Sequence, residues 1–402
     1  MVLAGKPSPG GLHGGLTGIP VHSEHVVGIA LGHPTIVAES GGTLRPMRPY
    51  RTALVALGAT AVASSVAAYR FAVEYRRRAG FPAHRPPTET PAAYGLPFEV
   101  VAVPSDAGPL PGWFVPAPGG GPAPAVVLVH GWESNRARML PNARFLHAAG
   151  FATFMFDVRG HGDNPPETLP ISGAEFGADA RAAAGLVAAR PDVTAVALLG
   201  HSMGAIGAAI AAADDPRIAA LVSTAAPADP RRLTRRTFQL AGLTMPGPIA
   251  HPLAALTTRV YLRPRGHAPS AVSAAAAVVR YAGPILIIHG ALDEIVGPDH
   301  AVRLDRAARR IAGRDVELLI LPEGRHRWLY EDPTYRGRIA AFLARHVAGA
   351  PEPDQAAARA VATQVLRPAD TVGALSALER PAAPELAPAA GVPTSSGPDG
   401  PA

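Results

Sequence analysis

The run Val196-Ala197-Leu198-Leu199-Gly200-His201-Ser202-Met203-Gly204-Ala205 constrains this chain more than any other stretch. It reads as a short apolar strand that passes through G-x-S-x-G into an Ala-rich helix. With 42 glycines in 402 residues, the five-residue pattern alone carries little weight. Its flanks give it a mechanical meaning. Small residues at 200 and 204 let the backbone turn sharply, which lifts the Ser202 hydroxyl to the end of a sheet. The bland alternative is a Gly-flanked serine in an ordinary strand-to-helix turn, and the rest of the chain decides between the two.

On both sides of that turn, short apolar runs alternate with helical periodicity. Residues 98–103 and 113–115 read as two strands joined by a turn at 104–108. Residues 124–129 (PAVVLV) are continuously apolar, as a parallel strand covered on both faces should be. A helix is expected from about Arg136, with Met139, Leu140, Phe145 and Leu146 on its apolar side and Gly150 at its end. Further strands are expected at 151–156, 193–199, 218–223, 284–288 and 316–321. Ser172 and Glu175 form a capping box for a helix that aligns Phe176, Ala180, Ala183 and Val187. Another helix starts near His300, and a last one at Asp332 turns Ile339, Phe342, Leu343 and His346 toward the core. The alternation predicts an α/β domain over 97–347, with a mostly parallel sheet and helices on both faces. It breaks at 228–282, where prolines and the apolar Phe238, Leu240, Leu243, Met245 and Leu253 read as a small inserted cap.

Pro (44) and Gly (42) together exceed a fifth of the chain and crowd toward its ends, which predicts a folded middle with poorly folded flanks. Residues 1–46 show no sustained period and are expected to be disordered or untranslated, with Met47 as an alternative start. Residues 52–69 carry no charge. As a helix of about 1.5 Å rise per residue they span roughly 27 Å, close to the ~30 Å hydrocarbon core of a bilayer. The segment 47–78 therefore reads as a membrane anchor in contact with lipid. A cleaved signal peptide, kept open by the small residues Ala61, Ala63, Ser65 and Ala67, and a soluble helix are the competing readings. Arg70, Arg76, Arg77, Arg78 and Arg85 follow the run, whereas only Arg45, Arg48 and Arg51 closely precede it, which tilts the large domain toward the cytoplasm. Residues 79–96 read as a Pro-rich linker, and 348–402 as an Ala/Pro-rich disordered tail in which 354–366 has the makings of a weak helix.

The chain has no cysteine, so disulfides, thiolate zinc sites and cysteine nucleophiles are excluded. A net charge of +6 arises from 37 basic against 31 acidic residues. No nucleic-acid motif or aromatic-interleaved basic stripe accompanies it, so nucleic acid is not expected as a partner.

A serine hydroxyl becomes a useful nucleophile only beside a base, and that base needs an acid to hold its tautomer. Asp293 lies in the loop after the strand at 284–288, and His326 in the loop after the strand at 316–321. The order Ser, Asp, His is the one such a sheet requires. Three separate segments thus satisfy one constraint.

Residues 97–347 resemble the α/β-hydrolase superfamily, and within it the esterases similar to serine aminopeptidases and monoacylglycerol lipases. The residues that carry the resemblance are His130-Gly131-Trp132, Asp157-x-Arg159-Gly160-x-Gly162, Gly200-His201-Ser202-Met203-Gly204, His289-Gly290-x-x-Asp293 and Gly324-x-His326. It implies an α/β-hydrolase fold with Ser202 as nucleophile, Asp293 as acid and His326 as base. It also implies an oxyanion hole made by the backbone N–H groups of Trp132 and Met203, with no metal or organic cofactor. A serine at the elbow, in place of an aspartate, argues against haloalkane dehalogenase or epoxide hydrolase chemistry. Asn164 departs from the pattern, since many relatives have Ser there.

Rivals stand beside each assignment. Asp229, Glu294 and Asp299 compete with Asp293, although Asp299 reads as a helix N-cap; His300 and His267 compete with His326. His130, Arg159 and His161 read as loop-bracing residues, His201 as filler in the elbow, and Arg231, Arg232, Arg235 and Arg236 as a solvated face. The expected substrate is a small-molecule ester or amide, first a carboxylic ester of small to medium acyl length. Peptides, thioesters or acylglycerols are alternatives on the same residues. An inactive membrane-tethered binding module is the rival from another class.

Overall fold

Strands joined by a short turn can pair antiparallel, whereas parallel neighbours need a crossover, and this chain uses both. The described residues are 49–368 of a computed structural model; the expected leader 1–46 and residues 369–402 of the expected tail lie outside them. Among these residues one sheet forms, in the order β1-β2-β4-β3-β5-β6-β7-β8. β1 (Glu99–Val103) and β2 (Leu110–Val115) make an antiparallel hairpin, and β2 runs antiparallel to β4 (Ala152–Phe156). From β4 across β3 (Ala123–Val129), β5 (Val193–His201), β6 (Ile218–Thr224), β7 (Ile285–Gly290) and β8 (Val316–Leu321) every pairing is parallel. The expected mostly parallel sheet is therefore present, with an antiparallel hairpin at one edge.

The crossovers are helices on the two faces. After α1 (Pro49–Ala79) come α2 (Leu140–Ala148), α3 (Gly173–Ala188), α4 (Met203–Asp214), α5 (Pro230–Leu240), α6 (Gly247–Leu262), α7 (Ala274–Val278), α8 (Asp299–Ala308), α9 (Pro333–His346) and α10 (Pro353–Ala362). Because successive strand residues face opposite ways, the apolar runs feed two cores. Val127, Phe154, Leu198 and Ile287 join Phe176 of α3 and Ile206 of α4 on one side. Leu128, Met155, Leu199 and Ile288 join Phe145 of α2 and Phe342 of α9 on the other. The capping box expected at the start of α3 is present: Ser172 accepts from the Ala174 N–H, while Glu175 accepts from the Ser172 N–H at 2.7 Å.

The insert between β6 and β7 carries α5 and α6. Its two ends are pinned together, since Ser273 Oγ and the Ala275 N–H both donate to the Ala228 carbonyl, at 3.0 and 3.1 Å. The expected insert of 228–282 runs too far at its end, because α7 is part of the domain itself: Ala274, Ala277 and Val278 are buried in the first core.

Three further sequence expectations change. The anchor and linker are not separate from the domain, because the last turns of α1 pack into it. Ala72 is fully buried, the Phe71 and Tyr75 rings stand edge-on to Phe238 at 5.3 and 5.6 Å, and Arg76 donates to the Val260 carbonyl at 3.2 Å. The apolar face of α1 simply continues past Arg70 through Phe71, Ala72 and Tyr75. The tail is not disordered from 348 onward, since the weak helix expected within 354–366 is present as α10. α10 buries Ala356 and Ala360, and Arg336 of α9 donates to the Ala360 and Val361 carbonyls at 3.1 and 3.0 Å. A face made of two alanines is thin, which is why composition read it as tail. Asp299 is the first residue of α8 and not its cap; its carboxylate meets Arg232 at 2.9 Å.

Candidate active site

β3 sends its crossover to one side of the sheet and β5 sends its own to the other, so a crevice opens beyond the carboxyl ends of these two strands. Ser202 stands at its edge. Its backbone has φ 55° and ψ −120°, a strained conformation for a residue with a side chain. The turn holds because its flanks are bare. A Cβ at 200 would come within 2.5 Å of the Ala205 Cα, and one at 204 within 2.7 Å of the Val129 carbonyl carbon. The Ser202 N–H donates to the Thr224 carbonyl at 2.9 Å, and Thr224 Oγ1 donates to the Gly200 carbonyl at 3.0 Å.

The loops after β7 and β8 bring Asp293 and His326 to the same place. His326 Nδ1 donates to Asp293 Oδ2 at 2.8 Å, which leaves the Nε2 lone pair facing the Ser202 hydroxyl at 3.1 Å. Asp293 Oδ1 accepts the Ile295 and Val296 N–H groups at 2.9 and 2.8 Å. Burial opposes ionisation of Asp293, yet the neighbouring His326 and His289 outweigh it and hold its carboxyl well below the usual carboxylate range. His289 was not assigned a role from the sequence, although its spacing of four before Asp293 was in view; its Nε2 lies 3.2 Å from Asp293 Oδ2 and 2.7 Å from the Val296 carbonyl.

The rival residues are engaged elsewhere. Asp229 caps α5 by accepting from the Arg231 and Arg232 N–H groups at 2.9 and 3.0 Å. Glu294 pairs with Arg325 at 3.1 Å. His300 Nδ1 accepts from the Ala228 N–H at 2.9 Å, and His267 Nε2 meets Glu175 at 2.6 Å.

Trp132 follows β3, and the chain beside it passes close to the serine, since a Cβ on Gly131 would lie 3.3 Å from the Ser202 Cβ. Met203 opens α4, so its N–H is among those the helix leaves without an internal acceptor. Behind this loop, His130 Nε2 accepts from the Val158 N–H at 3.1 Å and its Nδ1 donates to the Gly131 carbonyl at 2.8 Å. Burial, helped by the neighbouring His161, pushes the His130 imidazole down to about 3, so it is a neutral brace. Burial likewise brings His161 down to about 4, with its ring 5.2 Å from those of Trp132 and Phe176. Arg159 clamps Asp179 and Asp106, and Asn164 donates to the carbonyls of Asp157 and Val158 at 2.9 and 3.1 Å. The departure at 164 therefore closes the loop it belongs to. His201, brought down to about 3 by burial and then by His326, rests on Thr224 Oγ1 at 3.2 Å.

Above Ser202 lies a cavity of about 460 Å³. Ile206, Leu233, Val272, Ile295 and Leu329 line it together with Trp132, Met203 and His326. It reaches Tyr75 and Ala79 of α1 and Tyr261 of α6, none of which the sequence had connected with the serine. Among the described residues no group of three His, Asp or Glu side chains is arranged to hold a metal ion.

A strained serine at the end of a central parallel strand, beside a His–Asp pair from the next two loops, can support nucleophilic acyl transfer. The family model for serine aminopeptidase S33 matches residues 120–280. Two Mycobacterium tuberculosis sequences, the uncharacterized proteins MT2364 and Rv2307c, are each 31% identical over 258 residues, covering 64% of this chain and 81% of theirs. The chain belongs to the α/β-hydrolase superfamily. Pyrococcus furiosus esterase Pf2001 has the same fold as this hydrolase, with a TM-score of 0.54 at 20% identity, over 66% of this chain and all of that one.

Proposed function

We propose that this hydrolase is a serine carboxylesterase acting through Ser202, His326 and Asp293. The observation that carries the reading is the continuous path from Ser202 Oγ to His326 Nε2 (3.1 Å) and from His326 Nδ1 to Asp293 (2.8 Å), opening into a mainly apolar cavity. His326 takes the hydroxyl proton as Oγ attacks the ester carbonyl, and Asp293 stabilises the imidazolium that results. The carbonyl electrons collect on an oxyanion facing the Trp132 and Met203 N–H groups; removing one such donor typically costs about 10²–10³ in turnover. Collapse of this intermediate expels the alcohol, which receives the proton from His326. Water, deprotonated by the same imidazole, then releases the acid and restores Ser202.

A small to medium acyl chain is the first candidate, and a cavity of about 460 Å³ also leaves room for a longer one. A fluorophosphonate probe should label the wild type and leave Ser202→Ala unlabelled; a folded but unlabelled wild type would support a binding module instead. A series of p-nitrophenyl esters then reads the acyl preference, and faster cleavage of aminoacyl p-nitroanilides than of any ester would move the reading to a peptidase.

We also infer that residues 52–69 lie in a membrane, with the catalytic domain on the cytoplasmic side. Supporting this, the residues of α1 from Tyr50 to Val66 are exposed, and Leu57 and Val62 are 68% and 64% accessible although apolar. Carbonate extraction of native membranes tests the anchor: release into the soluble fraction would refute it.

A further inference from the structure

The wall of the Ser202 cavity includes the helix that precedes the domain. Tyr75, Arg78 and Ala79 of α1 line it. Their spacing of three and four puts them on one helical face. That face is fixed to the cap: the Tyr75 hydroxyl lies 2.8 Å from Thr237 Oγ1 of α5. Tyr261 of α6 donates to the carbonyls of Ile171 at 2.6 Å and Ala79 at 3.3 Å, so one hydroxyl joins the cap, the end of α1 and the loop before α3. The end of α1 is thus part of the pocket and not a tether leading to it.

The same helix bears an unpartnered apolar surface a short distance away. Val62 and Val66 are 64% and 52% exposed. From Val66 to Tyr75 the helix rises only about 14 Å. Arg70, Arg77 and Arg78 stand exposed between and beyond them; Glu74 pairs with Arg77 at 3.0 Å and with Arg78 at 2.5 Å, so this turn keeps a net positive charge that matches the anionic headgroups of a lipid surface, while Arg76 turns into the domain. A helix seated in lipid to the level of this turn holds the cavity at the headgroup boundary.

We propose that this hydrolase draws a membrane-resident amphiphilic acyl ester from the bilayer that α1 enters, and that the last turns of α1, Tyr75 above all, are the specificity-determining wall for its acyl chain. This rests on the readings of Ser202 as nucleophile and of residues 52–69 as seated in a membrane, and deepens them. The occupant of the exposed helix is a lipid bilayer, and the occupant of the cavity is an acyl chain leaving that bilayer. An ester dissolved in water would reach the serine without any such helix.

The test uses the full chain reconstituted in vesicles of equal parts phosphatidylcholine and phosphatidylglycerol. It compares p-nitrophenyl acetate in solution with 4-methylumbelliferyl palmitate dissolved in the vesicles. Palmitate cleavage should be at least about ten-fold faster when ester and enzyme share a vesicle than when they occupy separate ones. Tyr75→Trp should lower the palmitate-to-acetate ratio by about ten-fold, the scale on which pocket walls discriminate acyl chains. Ala79→Leu, which fills the same wall from the next turn, should lower it likewise. Acetate cleavage with equal palmitate rates in shared and separate vesicles, or with a ratio that neither filling variant moves, would overturn the proposal and leave the esterase reading standing. No cleavage of either ester, with no fluorophosphonate label on Ser202, would remove both.

Discussion

Gly290 and Gly324 meet backbone to backbone. A Cβ on Gly290 would collide with the Gly324 carbonyl and come within 2.9 Å of the Arg325 nitrogen, and one on Gly324 would lie 2.8 Å from the Gly290 Cα. This contact ties the loop that holds Asp293 to the loop that holds His326, and the Leu292 N–H donating to the Gly324 carbonyl at 2.9 Å closes it. Gly290→Ala should push the loops apart by a fraction of an ångström to an ångström. Turnover of p-nitrophenyl acetate should then fall about 10²-fold, because misplacement on that scale typically has that effect. Circular dichroism checks that the variant is folded.

Asp293→Asn keeps the shape of the side chain but presents His326 in the wrong tautomer. Its kcat should drop by about 10⁴, the loss typical of this substitution in a Ser-His-Asp arrangement. Asp229→Asn keeps an acceptor at the N-cap of α5 and should leave kcat near wild type, because that carboxylate caps a helix and does not reach His326. Steady-state kinetics on the two variants side by side distinguish the assignments.

Acid should unfold this protein early. His130, His161 and His201 are held neutral in the fold at about 3, about 4 and about 3, against 6.5 for an exposed imidazole. Below pH 6.5 the unfolded chain binds more protons at these positions than the native one. Stability present above that value is therefore lost as pH falls toward 4, at up to about 1.4 kcal/mol per pH unit for each histidine. Urea midpoints measured between about pH 7.5 and about pH 5 should fall accordingly. His161→Phe, which keeps a ring between Trp132 and Phe176, should reduce the slope by one proton's share.

Arg159 donates to Asp179 from its backbone N–H at 2.9 Å and from Nε at 3.0 Å, and both side chains are buried. Burial raises the Asp179 carboxyl while Arg159 opposes the rise. Arg159→Met should therefore destabilise the fold by about 3–5 kcal/mol, since it strands a buried carboxylate. The double variant Arg159→Met/Asp179→Leu should recover most of that loss in a urea melt, because no charge is left unpaired.

The sheet, its helices and the strand ends beside which Ser202, Asp293 and His326 lie were readable from sequence because each depends on local signals. An apolar run of six residues buried on both faces, such as β7, is visible in any window that contains it. Loops that directly follow strands of a parallel sheet converge on one edge by topology, so Asp293 and His326 needed no contact map to be named beside Ser202. His289 was visible but mute. Its place beside Asp293 depends on how a tight turn folds back, which spacing does not encode.

What the chain alone determined, then, is the alternation of elements and the three loops that end beside the serine, because hydrophobic period and turn chemistry act over a few residues. Tertiary structure alone decided where the two ends of the domain lie. Tyr75 meets Thr237 across 162 positions, and Arg144 reaches the Gln364 carbonyl across 220. Such pairings follow from which surfaces are left to cover once the sheet has formed. The same packing turned an apparent tether into the wall of the pocket.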